Sequence, residues 1–406
     1  MRRVSVVVLI NLALTFLGVF MCSGQTILQP FTFTCTPYLQ NLHPNGITVM
    51  WMVNNNATSW VEYGKTEKLG SKAIHNQSGM KDVNPGIQKI VLNDLEPGTR
   101  YYYTVVSSEV KSHQAYKVVF GDTLFSKTYS FATPPITSLQ FSFLAFNDIH
   151  SKPQFVDEVV KREKDFSFVM LNGDILNDIN SELEIVNDML KPLSNYFATS
   201  IPLFLVRGNH ETRGSGARSL SKYIDTPTGK YYYSFTYGNV FFIVLDCGED
   251  KPDDHPEYFG LANYDNYRST EAEWLAMEVQ SPAFKKSEYQ IVCSHMPVTL
   301  QPPANKIAAH GMIDCSEKFG LILDKAGIDL LLAGHTHQFN VIAPQKGVTS
   351  FPVIVGGAPV KENDQTNTTY TLIEVGKSGI TCSLKKANGN VIEKFMITKQ
   401  NSYKPL

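Results

Sequence analysis

The chain has 406 residues, 43% of them hydrophobic and 18% charged. That length points to about two domains, and the composition excludes a disordered, collagen-like or coiled-coil chain. Lys+Arg at 36 against Asp+Glu at 38 leaves a net charge of -2, so no nucleic-acid binding is expected, and an acidic substrate must be held by local groups.

Met1-Arg2-Arg3 is a positive start, Val4 to Phe20 is mostly apolar, and Cys22-Ser23-Gly24 offers small residues for cleavage. This pattern predicts a signal peptide over residues 1–24 and an exported protein: periplasmic, extracellular or at the cell surface. A lipid anchor on Cys22 is the rival reading, disfavoured by the bulky Met21 before it. No later run is long and apolar enough to predict a transmembrane segment in the mature chain. Cys35, Cys247, Cys293, Cys315 and Cys382 are scattered without Cys-x-x-Cys spacing, which is neither a disulfide framework nor a zinc-finger pattern.

Residues 25–134 read as short strands with turn signals and no helical period. Expected strands are Ile47–Val53, Trp60–Tyr63, Lys89–Leu92 and Tyr101–Val106, a spacing that predicts an all-β sandwich. The turn Leu95-Glu96-Pro97-Gly98-Thr99-Arg100-Tyr101 resembles the tyrosine corner of fibronectin type III domains, and Trp51 sits where such domains bury a tryptophan. The reading for this domain is structural.

After Pro134-Pro135 the code changes, and residues 138–406 read as a second domain. Apolar strands at Phe141–Phe146, Phe166–Leu171, Leu203–Val206, Val240–Leu245, Tyr289–Cys293 and Ile328–Leu332 alternate with helical stretches. The expected helices are Gln154–Lys164, Ser181–Ala198, Thr270–Gln280 and Ser316–Ala326. Continuous apolar strands between helices predict an α/β sandwich with mixed sheets buried on both faces. Past Pro352 strands return at Thr369–Val375 and Ile380–Lys386, with Asn388-Gly389 as their hairpin.

The chemistry sits just past the strands. Phe141–Phe146 runs into Asp148 and His150, Phe166–Leu171 into Gly173-Asp174, and Leu203–Val206 into Gly208-Asn209-His210-Glu211. Tyr289–Cys293 runs into His295, and Ile328–Leu332 into Gly334-His335-Thr336-His337. The carboxyl edge of an α/β sheet is where loops converge on ligands. Asp148, His150, Asp174, Asn209, His295, His335 and His337 form a nitrogen and oxygen set without thiolate, suited to Mn, Fe or Zn. Seven candidates exceed one tetrahedral ion and suit two ions sharing a carboxylate, an arrangement that serves displacement at phosphorus.

These motifs, in this order, resemble the calcineurin-like metallophosphoesterases. The first domain, with Pro37-Tyr38-Leu39-Gln40 and the Leu95–Tyr101 turn, resembles the N-terminal domain of purple acid phosphatases. The resemblance implies two divalent or trivalent ions, with Asp148, His150 and His337 on one, Asn209, His295 and His335 on the other, and Asp174 bridging. It implies attack by a metal-bound water or hydroxide on a small phosphorylated substrate, with His210 as the catalytic residue beside the phosphoryl group or leaving oxygen. Asn209, His210 and Arg213 are the candidate substrate contacts, and Arg207 flanks them. The purple enzymes carry a tyrosine three residues after the bridging Asp and a glycine in the first motif. Here those positions hold Asn177 and His150, so a colourless protein is expected.

The expected function is an exported dinuclear phosphoesterase favouring monoesters by analogy of layout. The alternatives are a phosphodiesterase on nucleotides or lipid head groups and, ranked below it, a non-catalytic surface binding protein. The complete set of seven ligands plus His210 argues against the last. Glu211 is expected either to orient His210 or to be solvated, and His255 and His310 to be solvated. The loops Thr212–Tyr223, Asp246–Arg268 and Met296–Asp314 are expected to shape the pocket.

Overall fold

The computed structural model describes residues 29–138, 140–302, 309–357, 368–399 and 403–406. The expected signal peptide and Cys22 lie outside the described residues. Among those described, no helix is long and apolar enough to cross a membrane.

The N-terminal part is β-rich. The expected strands at Ile47–Val53 and Trp60–Tyr63 are one continuous strand, Gly46–Gly64. Along its first half it pairs with Phe33–His43 and Asn84–Leu92, and along its second half with Ser71–Ile74 and Arg100–Gln114. A register shift between Val53 and Ala57 marks the change of partner, as a bulge does when it redirects a strand. Polar residues interrupt the apolar pattern at this point, which is why the sequence reads as two strands. Trp51 is fully buried and donates from Nε1 to Ser107 Oγ at 2.9 Å. Tyr101 closes its corner by accepting the Glu96 N–H on its hydroxyl at 2.9 Å.

The α/β part contains two mixed sheets. One orders Leu203–Val206, Phe168–Asn172, Phe141–Phe146, Thr369–Gly376, Gly379–Lys386, Val391–Ile397 and Lys404–Pro405. The other orders Tyr233–Tyr237, Val240–Leu245, Tyr289–Ser294, Leu330–Ala333, Val353–Val355 and Asn340–Ile342. The Asn388-Gly389 turn joins Gly379–Lys386 to Val391–Ile397, one hairpin later than expected; Lys377-Ser378 makes the earlier connection.

Period-two alternation explains the layering. Phe143 and Ala145 face the inner core with Phe242 and Val244 of the other sheet, and Phe204 stacks on Phe235 with centroids 4.0 Å apart. Leu144 and Phe146 point outward, against Phe155 and Val159 of the helix Gln154–Arg162 and against Met189 and Leu193. Phe241, Ile243 and Leu245 face Leu275 of the helix Tyr264–Glu278 and Phe319. The strands are therefore apolar on both faces because both faces are covered.

The described residues from Phe31 to Leu406 form one compact unit. Cys35, Tyr38 and Met50 of the β-rich part enter the helical core of the α/β part. Hydrogen bonds from Thr36 to Ser194 (2.8 Å), Gln40 to the Tyr223 carbonyl (3.1 Å) and Tyr103 to the Thr199 carbonyl (2.7 Å) cross between them.

Candidate metal centre

Asp148, Asp174 and Asn209 follow strands of one sheet, while His295 and His335 follow strands of the other. The site forms where the carboxyl ends of the two parallel strand sets meet. Backbone bonds join the loops: Asp148 N–H donates to the Gly173 carbonyl (3.0 Å), His150 N–H to the Asp174 carbonyl (2.9 Å) and Gly334 N–H to the His295 carbonyl (2.8 Å). Asn147 Nδ2 donates to the Ala333 carbonyl at 2.9 Å, linking one sheet's edge to the other's.

The backbone here is strained. Asp148, His150, Asp174, His335 and His337 all have positive φ, between 47° and 69°. Non-glycine residues rarely adopt that region, and such strain persists only where surrounding structure imposes it. Gly173, at φ 89°, is required for a second reason, since a Cβ on it would overlap the His295 ring.

Two groups of ligand atoms result, each with its atoms within 4.8 Å of one another. One is Asp148, His150, Asp174 and His337; the other is Asp174, His295 and His335. Asp174 belongs to both. Asn209 Oδ1 lies 3.0 Å from His335 Nδ1 and so joins the second group. The structure thus brings all seven sequence-predicted candidates into one cluster. Asp148, Asp174, Asn209 and His295 are at most 2% exposed.

The donor atoms fit a pair of ions. His150 Nδ1 is buried without a hydrogen-bond partner, a state that buried polar atoms avoid unless an ion or water completes them, and Asp174 Oδ2 and His295 Nε2 are buried 3.1 Å apart, two ligand-type atoms facing one point. His295 Nδ1 donates to the Asn172 carbonyl at 3.1 Å, which turns its Nε2 toward the site, 3.1 Å from Asp174 Oδ2. Burial pulls the His295 pKa down, but Asp174 and Asp148 outweigh it and push it up to about 10. Burial would raise Asp174, yet His295 and His210 hold it well below the usual carboxylate range. Burial takes His150 and His335 down to about 4, keeping both imidazoles neutral, the form that binds metal.

His210 is half-buried beside this cluster. Its Nδ1 lies 2.5 Å from the Asn177 carbonyl, which can only accept, so Nδ1 carries the proton in the neutral ring. Its Nε2 faces Asp174 Oδ2 at 3.8 Å and accepts from Arg213 Nη1 at 3.1 Å. Asn177 therefore serves the site through its backbone.

Other expectations need correction. Glu211 is neither solvated nor bonded to the His210 ring. It is 1% exposed, and its carboxylate accepts backbone N–H groups of Gly208 (2.8 Å), Asp174 (2.9 Å) and Leu176 (2.8 Å). Arg207 makes a bidentate pair with Asp246 at 3.1 and 2.6 Å and lies over the Tyr231 ring, so its charge is committed to structure. Arg213 reaches His210 but is also held by Glu249 and Asp250 at 3.0 and 3.2 Å. His310 pairs with Asp265 at 2.8 Å, and His255 caps the turn Pro256–Tyr258.

Sequence reading passed over Asp246 and Glu249, which place the two arginines, and Gly356-Gly357, which follows Val353–Val355. A signal existed: Val240–Leu245 also ends in an acidic residue, Asp246, as two of the five strands singled out run into Asp148 and Asp174. A Cβ on Gly357, at φ 83°, would overlap the Asp148 carboxylate. A cavity of about 640 Å³ opens beside Arg213, walled by the first two expected pocket loops and including Arg218, Tyr258, Phe259 and Leu261. Residues 303–308 of the third loop lie outside the described residues.

Comparisons agree with this geometry. Residues 141–339 match the calcineurin-like phosphoesterase family, and residues 35–133 match the purple acid phosphatase N-terminal domain. The chain is 20% identical over 329 residues to the Arabidopsis thaliana protein named "Probable purple acid phosphatase 20", covering 76% of this chain and 69% of that one. It superposes on a purple acid phosphatase from yellow lupin (Lupinus luteus) seeds with a TM-score of 0.66 at 17% identity, covering 90% and 74% of the two chains. PhoD gives a TM-score of 0.63 at 12% identity, covering 93% of each. At these identities the structural likeness shows the fold.

Proposed function

We propose that this chain, whose residues 141–339 match the calcineurin-like phosphoesterase family and whose residues 35–133 match the purple acid phosphatase N-terminal domain, is an exported metal-dependent hydrolase of phosphate monoesters that works with two ions at Asp148, His150, Asp174, Asn209, His295, His335 and His337. The observation that carries this reading is Asp174, buried and shared by both ligand groups, with its Oδ2 facing His295 Nε2 at 3.1 Å. The preference for monoesters rests on the likeness to purple acid phosphatases. Export rests on the leader-like Met1–Gly24 segment. The nitrogen and oxygen donors support Fe, Zn or Mn.

When bound, the ions supply positive charge at the phosphoryl oxygens and a more acidic water. The protein's own residues do the rest. Asp148, Asp174 and the four histidine ligands are held by backbone bonds and strained turns, so they need not reorganise when substrate arrives. His210 holds its Nδ1 proton against the Asn177 carbonyl and presents Nε2 toward Asp174 and Arg213. With Nδ1 protonated, Nε2 rests as an acceptor from Arg213, so it would carry a proton to the leaving oxygen only in the imidazolium form. Arg213 keeps positive charge at that point and is itself fixed by Glu249 and Asp250.

The test is metal analysis of the purified full chain, together with hydrolysis of a nitrophenyl phosphate monoester and the matching diester, with chelator-treated protein as control. Two ions per chain and metal-dependent turnover with the monoester ahead are expected. A diester excess would overturn the monoester preference. Chelator-insensitive turnover, or none with two ions present, would overturn the mechanism.

A further inference from the structure

Resting on the hydrolase reading above, we infer that the cavity beside His210 receives the organic leaving group of the ester, and that this group carries a flat apolar ring. In-line displacement expels the leaving oxygen opposite the attacking one, and the proton donor must lie within hydrogen-bond reach of it. In the hydrolase reading the imidazolium form of His210 is that donor, so the leaving group projects to its side. Arg213 touches His210 Nε2 at 3.1 Å and lines the cavity of about 640 Å³. This volume lies within the range of small-molecule sites and far exceeds what a short alcohol would occupy.

The lining favours a ring. Phe259 is 87% exposed and Leu261 75% exposed, on either side of Gly260. Phe259, at φ 51°, is the left-handed cap that closes the turn Pro256–Tyr258. Adjacent large apolar side chains presented to water at a cavity mouth mark a surface that something covers. The charges in the wall are mostly spent: Glu249 is bound by Arg213, Thr212 and Tyr258, Glu257 pairs with Lys251, and Arg207 pairs with Asp246. Arg218 lines the same cavity, is exposed, and is not bonded to any described residue. An apolar wall with one uncommitted cation suits a ring carrying an anionic or acceptor substituent.

The experiment uses the metal-loaded full chain and two non-hydrolysable probes, phenylphosphonate and methylphosphonate, with thermal shift and titration as readouts. Phenylphosphonate should bind about tenfold tighter, and Phe259→Ala/Leu261→Ala should reduce that preference to about twofold or less. A carboxyl on the phenyl ring should tighten binding further in the wild type and not in Arg218→Ala. In turnover, the double variant should lose about tenfold in kcat/KM for phenyl phosphate and stay within twofold for ethyl phosphate. Should the double variant unfold, Ala262→Trp, which fills the cavity, should give the same selective loss. Equal affinity for the two phosphonates, binding of neither, or a preference that survives both variants would overturn the inference. Wild-type protein that prefers phenylphosphonate but hydrolyses no ester would overturn the hydrolase reading and leave the subsite standing.

Discussion

The carboxylate of Glu211 accepts the backbone N–H of Asp174 at 2.9 Å, so the residue common to both ligand groups is held from behind by a side chain two positions past Asn209. The same carboxylate takes the N–H groups of Gly208 and Leu176. One buried group thereby joins the loops after two neighbouring parallel strands. Burial and the charge of Asp174 push its pKa up.

Glu211→Ala should therefore destabilise the fold. It orphans three backbone N–H groups in a dry site, and leaving even one unsatisfied costs about 1–3 kcal/mol. Urea unfolding should show a loss of about 3 kcal/mol or more, together with weakened metal retention.

Asp174→Asn should leave the fold intact and remove the shared anionic ligand. Metal content should fall below one ion per chain, and turnover should fall by at least about a hundredfold. Elemental analysis beside a nitrophenyl phosphate assay checks this, and full activity with full metal content would refute the bridging role.

Gly357→Ala should injure the site from a position outside the five motifs. The added methyl overlaps Asp148 Oδ2, so overpacking of about 1–3 kcal/mol adds to the cost of its positive φ. Gly327→Ala is the matched control: its φ is 68° and nothing lies near its Cβ. The control should lose about 1 kcal/mol and keep its metals, whereas Gly357→Ala should lose both stability and metal.

Glu163 reports on acid stability away from the metals. Burial raises its pKa, but hydrogen bonds from Lys385 and Tyr370, both at 2.5 Å, outweigh that and lower it below 4.5. A depressed folded-state pKa gives stability that is present above the unfolded value and lost as pH falls through the folded value. Glu163→Gln should cost about 1 kcal/mol at pH 7, and the difference from wild type should shrink as pH falls below 4.5 and through the lowered folded-state pKa. A difference that grows on acidification would contradict the pairing.

Metal-loaded protein should show no tyrosinate charge-transfer band in the visible region. The position that carries tyrosine in the purple enzymes holds Asn177, whose side chain bonds Asp178 and whose carbonyl takes the His210 proton. An iron-loaded sample read by absorption spectroscopy decides it.

The sequence by itself determined the central strands of both sheets, the change of code after Pro135, and the set of ligand types at five strand ends. Those features are local: a buried strand declares itself by continuous apolar residues, and a strand-end motif by its neighbours. Only the tertiary structure decided which strand joined which sheet, and which charges were already taken. Arg207 and Asp246 are 39 positions apart, and Asn209 and His335 are 126 apart; no period relates such pairs. Glu211 looked like a group that orients His210 or is solvated because a carboxylate beside a histidine has the same sequence in either role, and its burial under three backbone donors exists only once the loops are packed. The strand Gly46–Gly64 looked like two because polar residues mark a bulge as they mark a turn. The cavity at Phe259 was invisible for the same reason: an exposed phenylalanine and a core one are spelled alike, and the difference is made by what the rest of the chain leaves uncovered.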